Sequence, residues 1–136
     1  MSVIIDGSTG MTTNAGGLVN PSTTIDGINF SCRAFVNFNG TGTVATRASG
    51  NVTNITDNGT GDYTVNFTTA MTDANYSVAL CTTGGNSGNV TRSILIAGAN
   101  ATGAIQKTTS ALRIQTGDTT AIGLFDMAEI SVQIFR

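Results

Sequence analysis

From Cys32 to Asn39 the side chains alternate with a period of two. Cys32, Ala34, Val36 and Phe38 fall on one side, and Arg33, Phe35 and Asn37 fall on the other. An extended chain turns successive side chains to opposite faces, so this run predicts a strand with one buried face and excludes the stripe of an amphipathic helix. The pattern recurs. Tyr63, Val65 and Phe67 alternate with Thr64 and Asn66, Tyr76, Val78 and Leu80 share a face, and Leu112 and Ile114 do the same. Ser93 to Ala97 reads as a buried strand, and Ala128, Ile130, Val132 and Ile134 as the last one. Between these runs lie turn residues. Asn39-Gly40-Thr41-Gly42 contains the Asn-Gly pair that favours a type I′ hairpin, after which Val44 to Arg47 runs back. Val52 to Thr56, the turn Asp57-Asn58-Gly59-Thr60-Gly61 and the Tyr63 strand make the clearest hairpin. The nearest helical candidate, Thr68 to Asn75, has room for a single turn. Short strands punctuated by Gly and Asn predict an all-β chain, an antiparallel β-sandwich of jelly-roll-like form with an extended N-terminal arm.

The arm is residues 1–31. Val3-Ile4-Ile5 is its one early apolar run, and Gly7 to Pro21 is rich in Gly, Ser, Thr and Asn, with few core-forming side chains. Residues 32–136 carry the strand pattern and form the sandwich domain. The length suits one core plus a tail.

Only 10% of residues are charged and the net charge is −2, with Lys and Arg totalling 6, scattered along the chain. A nucleic-acid surface needs clustered cations to displace counterions from phosphates, so nucleic acid is not an expected partner. The N-terminus lacks a basic segment followed by a long apolar run, and no apolar run approaches the roughly 20 residues that span a bilayer, which predicts a cytoplasmically made product without membrane insertion. Asn-x-Ser/Thr triplets begin at Asn29, Asn39, Asn51, Asn54, Asn58, Asn66, Asn75, Asn89 and Asn100, a density that fits a prokaryotic or phage origin better than a glycosylating secretory pathway. Cys32 and Cys81 lack metal-binding or redox spacing and are expected as buried thiols, with a bond between them left open.

The chain has no histidine, which removes the commonest general base and the usual zinc and iron ligand sets. Paired carboxylates could still hydrolyse glycosides, and Asp57, Asp62, Asp73, Asp118, Asp126 and Glu129 are the ones to consider. Asp57 and Asp62 flank a turn and are expected to shape it, and Glu129 to face solvent or an interface. Asp57-Asn58-Gly59 lacks the ligand periodicity of a calcium loop, and Gly16-Gly17 and Gly84-Gly85 lack the residues of a phosphate cradle. The expectation is therefore no catalytic residue, no metal site, no cofactor and no enzymatic activity.

Phe35-Val36-Asn37-Phe38-Asn39-Gly40-Thr41-Gly42-Thr43-Val44-Ala45, continuing through Gly50-Asn51-Val52 and from Ile55 to Phe67, resembles a module that recurs in bacteriophage tail fibres and related virion appendages. The leader Ile4-Ile5-Asp6-Gly7-Ser8, with Asn20-Pro21-Ser22 and Ile25-Asp26-Gly27-Ile28, resembles the segment preceding such modules in marine and cyanobacterial phages. The resemblance covers about two thirds of the chain and rests on strand and turn residues. It implies a homotrimer in the virion, bound to other proteins of the tail, baseplate or capsid, with exposed loops that meet a host-surface glycan or protein. Within that frame Val3, Ile4 and Ile5 are the expected virion anchor. The loop Gly84, Gly85, Asn86, Ser87, Gly88, Asn89 is the expected exposed tip, with the Gly98 to Gly103 bend beside it. A capsid decoration or head-fibre protein, and a carbohydrate-binding tip, are the alternatives.

Phe35 beside Val36 and Phe135 beside Ile134 put apolar groups on both faces of their strands. With so few charges, a second face meeting another subunit explains this, as does a core covering both faces within one chain.

Overall fold

The computed structural model describes residues 3–4, 12–13, 31–83, 92–97, 106–118 and 123–136. The chain divides into two compact units, Met1–Ser31 and Cys32–Arg136. In the first, β1 (Val3–Ile4) pairs antiparallel with β2 (Thr12–Thr13).

The second unit is all-β. Its strands are β3 (Cys32–Asn39), β4 (Ala45–Gly50), β5 (Val52–Gly59), β6 (Asp62–Phe67), β7 (Ser77–Thr82), β8 (Arg92–Ile96), β9 (Ala111–Asp118), β10 (Gly123–Leu124) and β11 (Ile130–Phe135). One sheet has the order β4-β3-β11-β7. In the other, β5, β6 and β9 lie in sequence, and both β8 and β10 pair with β9. The two antiparallel sheets pack face to face as a β-sandwich. Its winding is simple, since β3–β4, β5–β6 and β8–β9 are each neighbours in chain order and in one sheet. No helix occurs among the described residues, and Thr68 to Asn75 is a series of bends.

The register shows why alternation sufficed to place the core. Ala34, Ile134 and Val78 lie side by side, as do Val36, Val132 and Leu80, and Phe38, Ile130 and Thr82. Facing them are Tyr63 beside Ile114 and Val65 beside Leu112 and Ile55. Phe38, Tyr63, Val65, Leu112, Ile114, Ile130 and Ile134 are fully buried. Tyr63 sets its ring edge-on to Phe38 at 5.2 Å, the geometry that aromatic quadrupoles favour, and Phe67 meets Tyr76 similarly at 5.8 Å.

Two local expectations change. The loop after β3 is not a two-residue Asn-Gly turn: Asn39 pairs with Ala45, and the positive φ belongs to Gly42 at 66°. Gly40 is instead needed for close approach, because its N–H donates to Met127 O at 2.8 Å and a Cβ there would lie 2.4 Å from the Tyr63 hydroxyl. The cysteines are also not buried; both are exposed and free. They sit near opposite ends of their sheet: Cys32 and Ser77 both align with Phe135, and Cys81 lies four residues further along β7. At about 3.3 Å per residue that is roughly 13 Å, beyond the ~7 Å Cα separation a disulfide tolerates.

Candidate functional site

Each sheet turns one face outward. On β4-β3-β11-β7 the outward residues are mostly small or polar, and two phenylalanines stand among them. Phe35 is 42% exposed and Phe135 37%, while their neighbours Val36 and Ile134 are buried. Phe35 lies over Gly50, where a Cβ would come within 2.5 Å of its ring. The same face carries a polar row. Asn37 donates to Ser131 Oγ at 2.8 Å and to Glu129 Oε1 at 3.2 Å, and Arg47 donates to Ala128 O at 2.6 Å.

The outward face of the other sheet is a hydrogen-bonded layer of amides and hydroxyls. Asn66 donates to Asn54 Oδ1 (2.7 Å) and Thr56 Oγ1 (2.9 Å), and Asn58 donates to Thr64 Oγ1 (2.9 Å) and Asp62 Oδ1 (3.2 Å). Asp62 is 7% exposed and is gripped by Arg113 through two bonds, Nε to Oδ1 at 2.7 Å and Nη2 to Oδ2 at 2.6 Å. Gln115 adds a third from Nε2 to Oδ2 at 3.0 Å. The paired Arg113 guanidinium holds the Asp62 carboxyl below its ordinary range, burial pulls the other way, and Gln115 and Asn58 reinforce the lowering. A depressed carboxyl stabilises the fold above its unfolded pKa and loses that contribution as pH falls through the folded value. Acid titration of Asp62→Asn should accordingly show a smaller loss of stability than wild type between about pH 5 and pH 2. Equal acid sensitivity in urea midpoints would remove Asp62 from the account.

Beyond Gln115 this face opens into a groove of about 340 Å³, lined by Ser93 and Leu95 of β8, Gln115, Thr116 and Gly117 of β9, and Gly123 and Leu124 of β10. The three strands meet here because Gly117 pairs with Ser93 on one side and Leu124 on the other. Leu95 is 60% exposed and Leu124 41%. Among the described residues, no lining side chain is charged. The groove falls at the small end of the size range of ligand pockets.

No family model, curated protein or solved structure matches this chain. Function is therefore argued from its own residues.

The described carboxylates among those considered for glycoside cleavage have separate hydrogen-bond partners. Asp57 accepts from Gly59 N at 2.9 Å, which shapes the turn, whereas Asp62 forms the ion pair just described and is more than a turn residue. Asp73 accepts from Asn75 N at 2.7 Å and pairs with Arg136. Asp126 accepts from Gly61 N and from the Tyr63 hydroxyl, each at 2.7 Å. Burial, with Asp126 beside it, raises the Tyr63 pKa. Glu129 is exposed, at the end of the Asn37 row. The side chain of Asp118 lies outside the described residues, and among those residues no cluster of three metal-ligating side chains occurs. Of the expected anchor, Val3 and Ile4 form β1 and Ile5 lies outside the described residues. The loop Gly84 to Asn89 and the Gly98 to Gly103 bend also lie outside them.

Sequence reasoning missed Asn51, Gly61 and the groove. Asn51 has φ 55° at the corner where the chain leaves one sheet for the other, and its side chain bonds Arg33 O, Thr69 O and Thr69 N. The tolerance of Asn for left-handed backbone was the available signal. The groove had none, since it depends on which strands flank Gly117.

Proposed function

We propose that this chain is a non-catalytic structural subunit of a bacteriophage virion, a short tail fibre or fibre tip. It assembles as a homotrimer through the outer face of β4-β3-β11-β7, attaches to the tail or baseplate through residues 1–31, and contributes to host-surface recognition. The observation that carries this reading is the exposure of both Phe35 and Phe135 on an outward face of mostly small or polar side chains. Contact with another subunit removes such aromatic area from water and provides much of the driving force for association. The resemblance of Phe35 to Phe67 to virion appendage modules supports the same assignment, and the separate structural duties of Asp57, Asp62, Asp73 and Asp126 support a non-catalytic role.

The test is removal of residues 2–20. The truncated protein should keep its fold and assembly but be lost from purified virions, and truncated protein incorporated at normal levels contradicts the arm's role. Immunogold labelling separates the tail from a capsid decoration or head-fibre position, which would retain the structural reading and move its place. The groove beside Gln115 favours a second reading, a carbohydrate-binding tip.

A further inference from the structure

We infer that the groove lined by Ser93, Leu95, Gln115 and Leu124 is a binding site for one or two rings of a neutral saccharide. The inference rests on the host-recognition part of the proposed function and gives it an address. Three observations lead to it.

The groove is uncharged among its described lining residues, although the sheet carries a charged pair nearby. Arg113 and Asp62 neutralise each other through a bidentate contact, so neither offers a net charge to a ligand. Among the described lining side chains a phosphate, carboxylate or ammonium ligand finds no opposite charge to offset its lost hydration.

A polar group of its lining is also restrained. Gln115 Nε2 donates to Asp62 Oδ2 at 3.0 Å, which restrains the carboxamide of this lining residue and leaves its oxygen as an acceptor. Ser93, which faces Gly117 and donates weakly to its carbonyl at 3.5 Å, adds a hydroxyl that can also accept. Leu95 and Leu124 form exposed apolar walls on either side of Gly117. One restrained acceptor, one adaptable hydroxyl and two apolar walls match a ring with hydroxyls at its rim and C–H groups on its face.

The groove, finally, spans β8, β9 and β10. The backbone of β9 there is paired with β8 on one side and β10 on the other. An extended peptide gains its affinity by adding a strand to an open edge, and β9, between the two apolar walls, offers none; β8 and β10 pair only with β9 among the described strands. A compact ring held by side chains needs no open edge.

The test uses the full chain, isotopically labelled, titrated with glucose, galactose and N-acetylglucosamine and followed by amide chemical shifts. Saturable shifts at Ser93, Leu95, Gln115 and Leu124 with millimolar affinity are expected for one of them. Gln115→Ala and Leu95→Ser should each weaken that affinity about five- to tenfold, the worth of one hydrogen bond or one apolar contact, while the rest of the spectrum stays unchanged. Leu95 is 60% exposed and makes no hydrogen bond to Asp62 through its side chain, so Leu95→Ser keeps the inference testable if Gln115→Ala unfolds the chain. Absence of saturable shifts with all three sugars, or saturation at another surface, overturns it. Shifts at these four residues that respond to protein dilution but not to sugar identify a second copy as the occupant and likewise overturn it. The virion assignment is judged separately by the truncation experiment, and release of reducing sugar during the titration would contradict the non-catalytic reading instead.

Discussion

Gly61→Ala should lower the stability of the domain by about 2–5 kcal/mol, with the midpoint of thermal unfolding falling by roughly 10–20 °C. Two independent penalties combine. Gly61 has φ +64°, where a side chain costs about 1–2 kcal/mol. An added Cβ would also lie 2.5 Å from Thr116 O, 2.6 Å from Phe125 N and 2.9 Å from Phe125 O. These are backbone atoms of the strand and segment that close this end of the sheet, and overpacking of this kind typically costs a further 1–3 kcal/mol. Any shift of Gly61 also disturbs its N–H bond to Asp126, which in turn receives the Tyr63 hydroxyl. Circular dichroism melts of the variant and wild type measure the effect. A Tm within about 2 °C of wild type would show that this corner is not as tightly built as the distances state.

The second large effect separates two phenylalanines three residues apart on one strand. Phe38 is 0% exposed and packs edge-on against Tyr63, so Phe38→Ala should cost about 3–5 kcal/mol through lost burial and the cavity left behind. Phe35 is 42% exposed over Gly50, and Phe35→Ala should cost less than about 1 kcal/mol in the isolated domain. Its larger consequence should be in assembly, because it removes part of the exposed aromatic surface by which subunits are proposed to meet. Urea denaturation gives the first difference. If the two variants proved equally destabilised, the division of β3 into a core face and an assembly face would fail.

Much of the fold was legible because it depends on a local rule. Alternation in Cys32 to Asn39, Asp62 to Phe67 and Ile130 to Phe135 is a property of each strand by itself, and the buried residues follow from it directly. Cys32 broke the pattern because it lies at the strand end, where the register to β11 shifts between Ile134 and Phe135 and the face is no longer covered. The contacts that close the sandwich were not legible. Asp62 meets Arg113 across 51 residues, and Tyr63 meets Asp126 across 63. Such pairings depend on strand order, which turn residues and alternation leave open. The same holds for the groove, whose walls come from three strands, and for Gly40, whose role is to admit the Tyr63 hydroxyl and not to make the turn its Asn-Gly sequence suggested.

The exposed face of β4-β3-β11-β7 is central to the proposed function, and its most direct test is the solution mass of the purified chain by light scattering, beside that of a Phe35→Ser, Phe135→Ser double variant. The wild-type protein should have three times the 13.8 kDa chain mass, and the variant should fall to a single chain while keeping its β-sheet circular dichroism spectrum. A wild-type protein that stays a monomer at all accessible concentrations would contradict the assembly of this face into a fibre subunit.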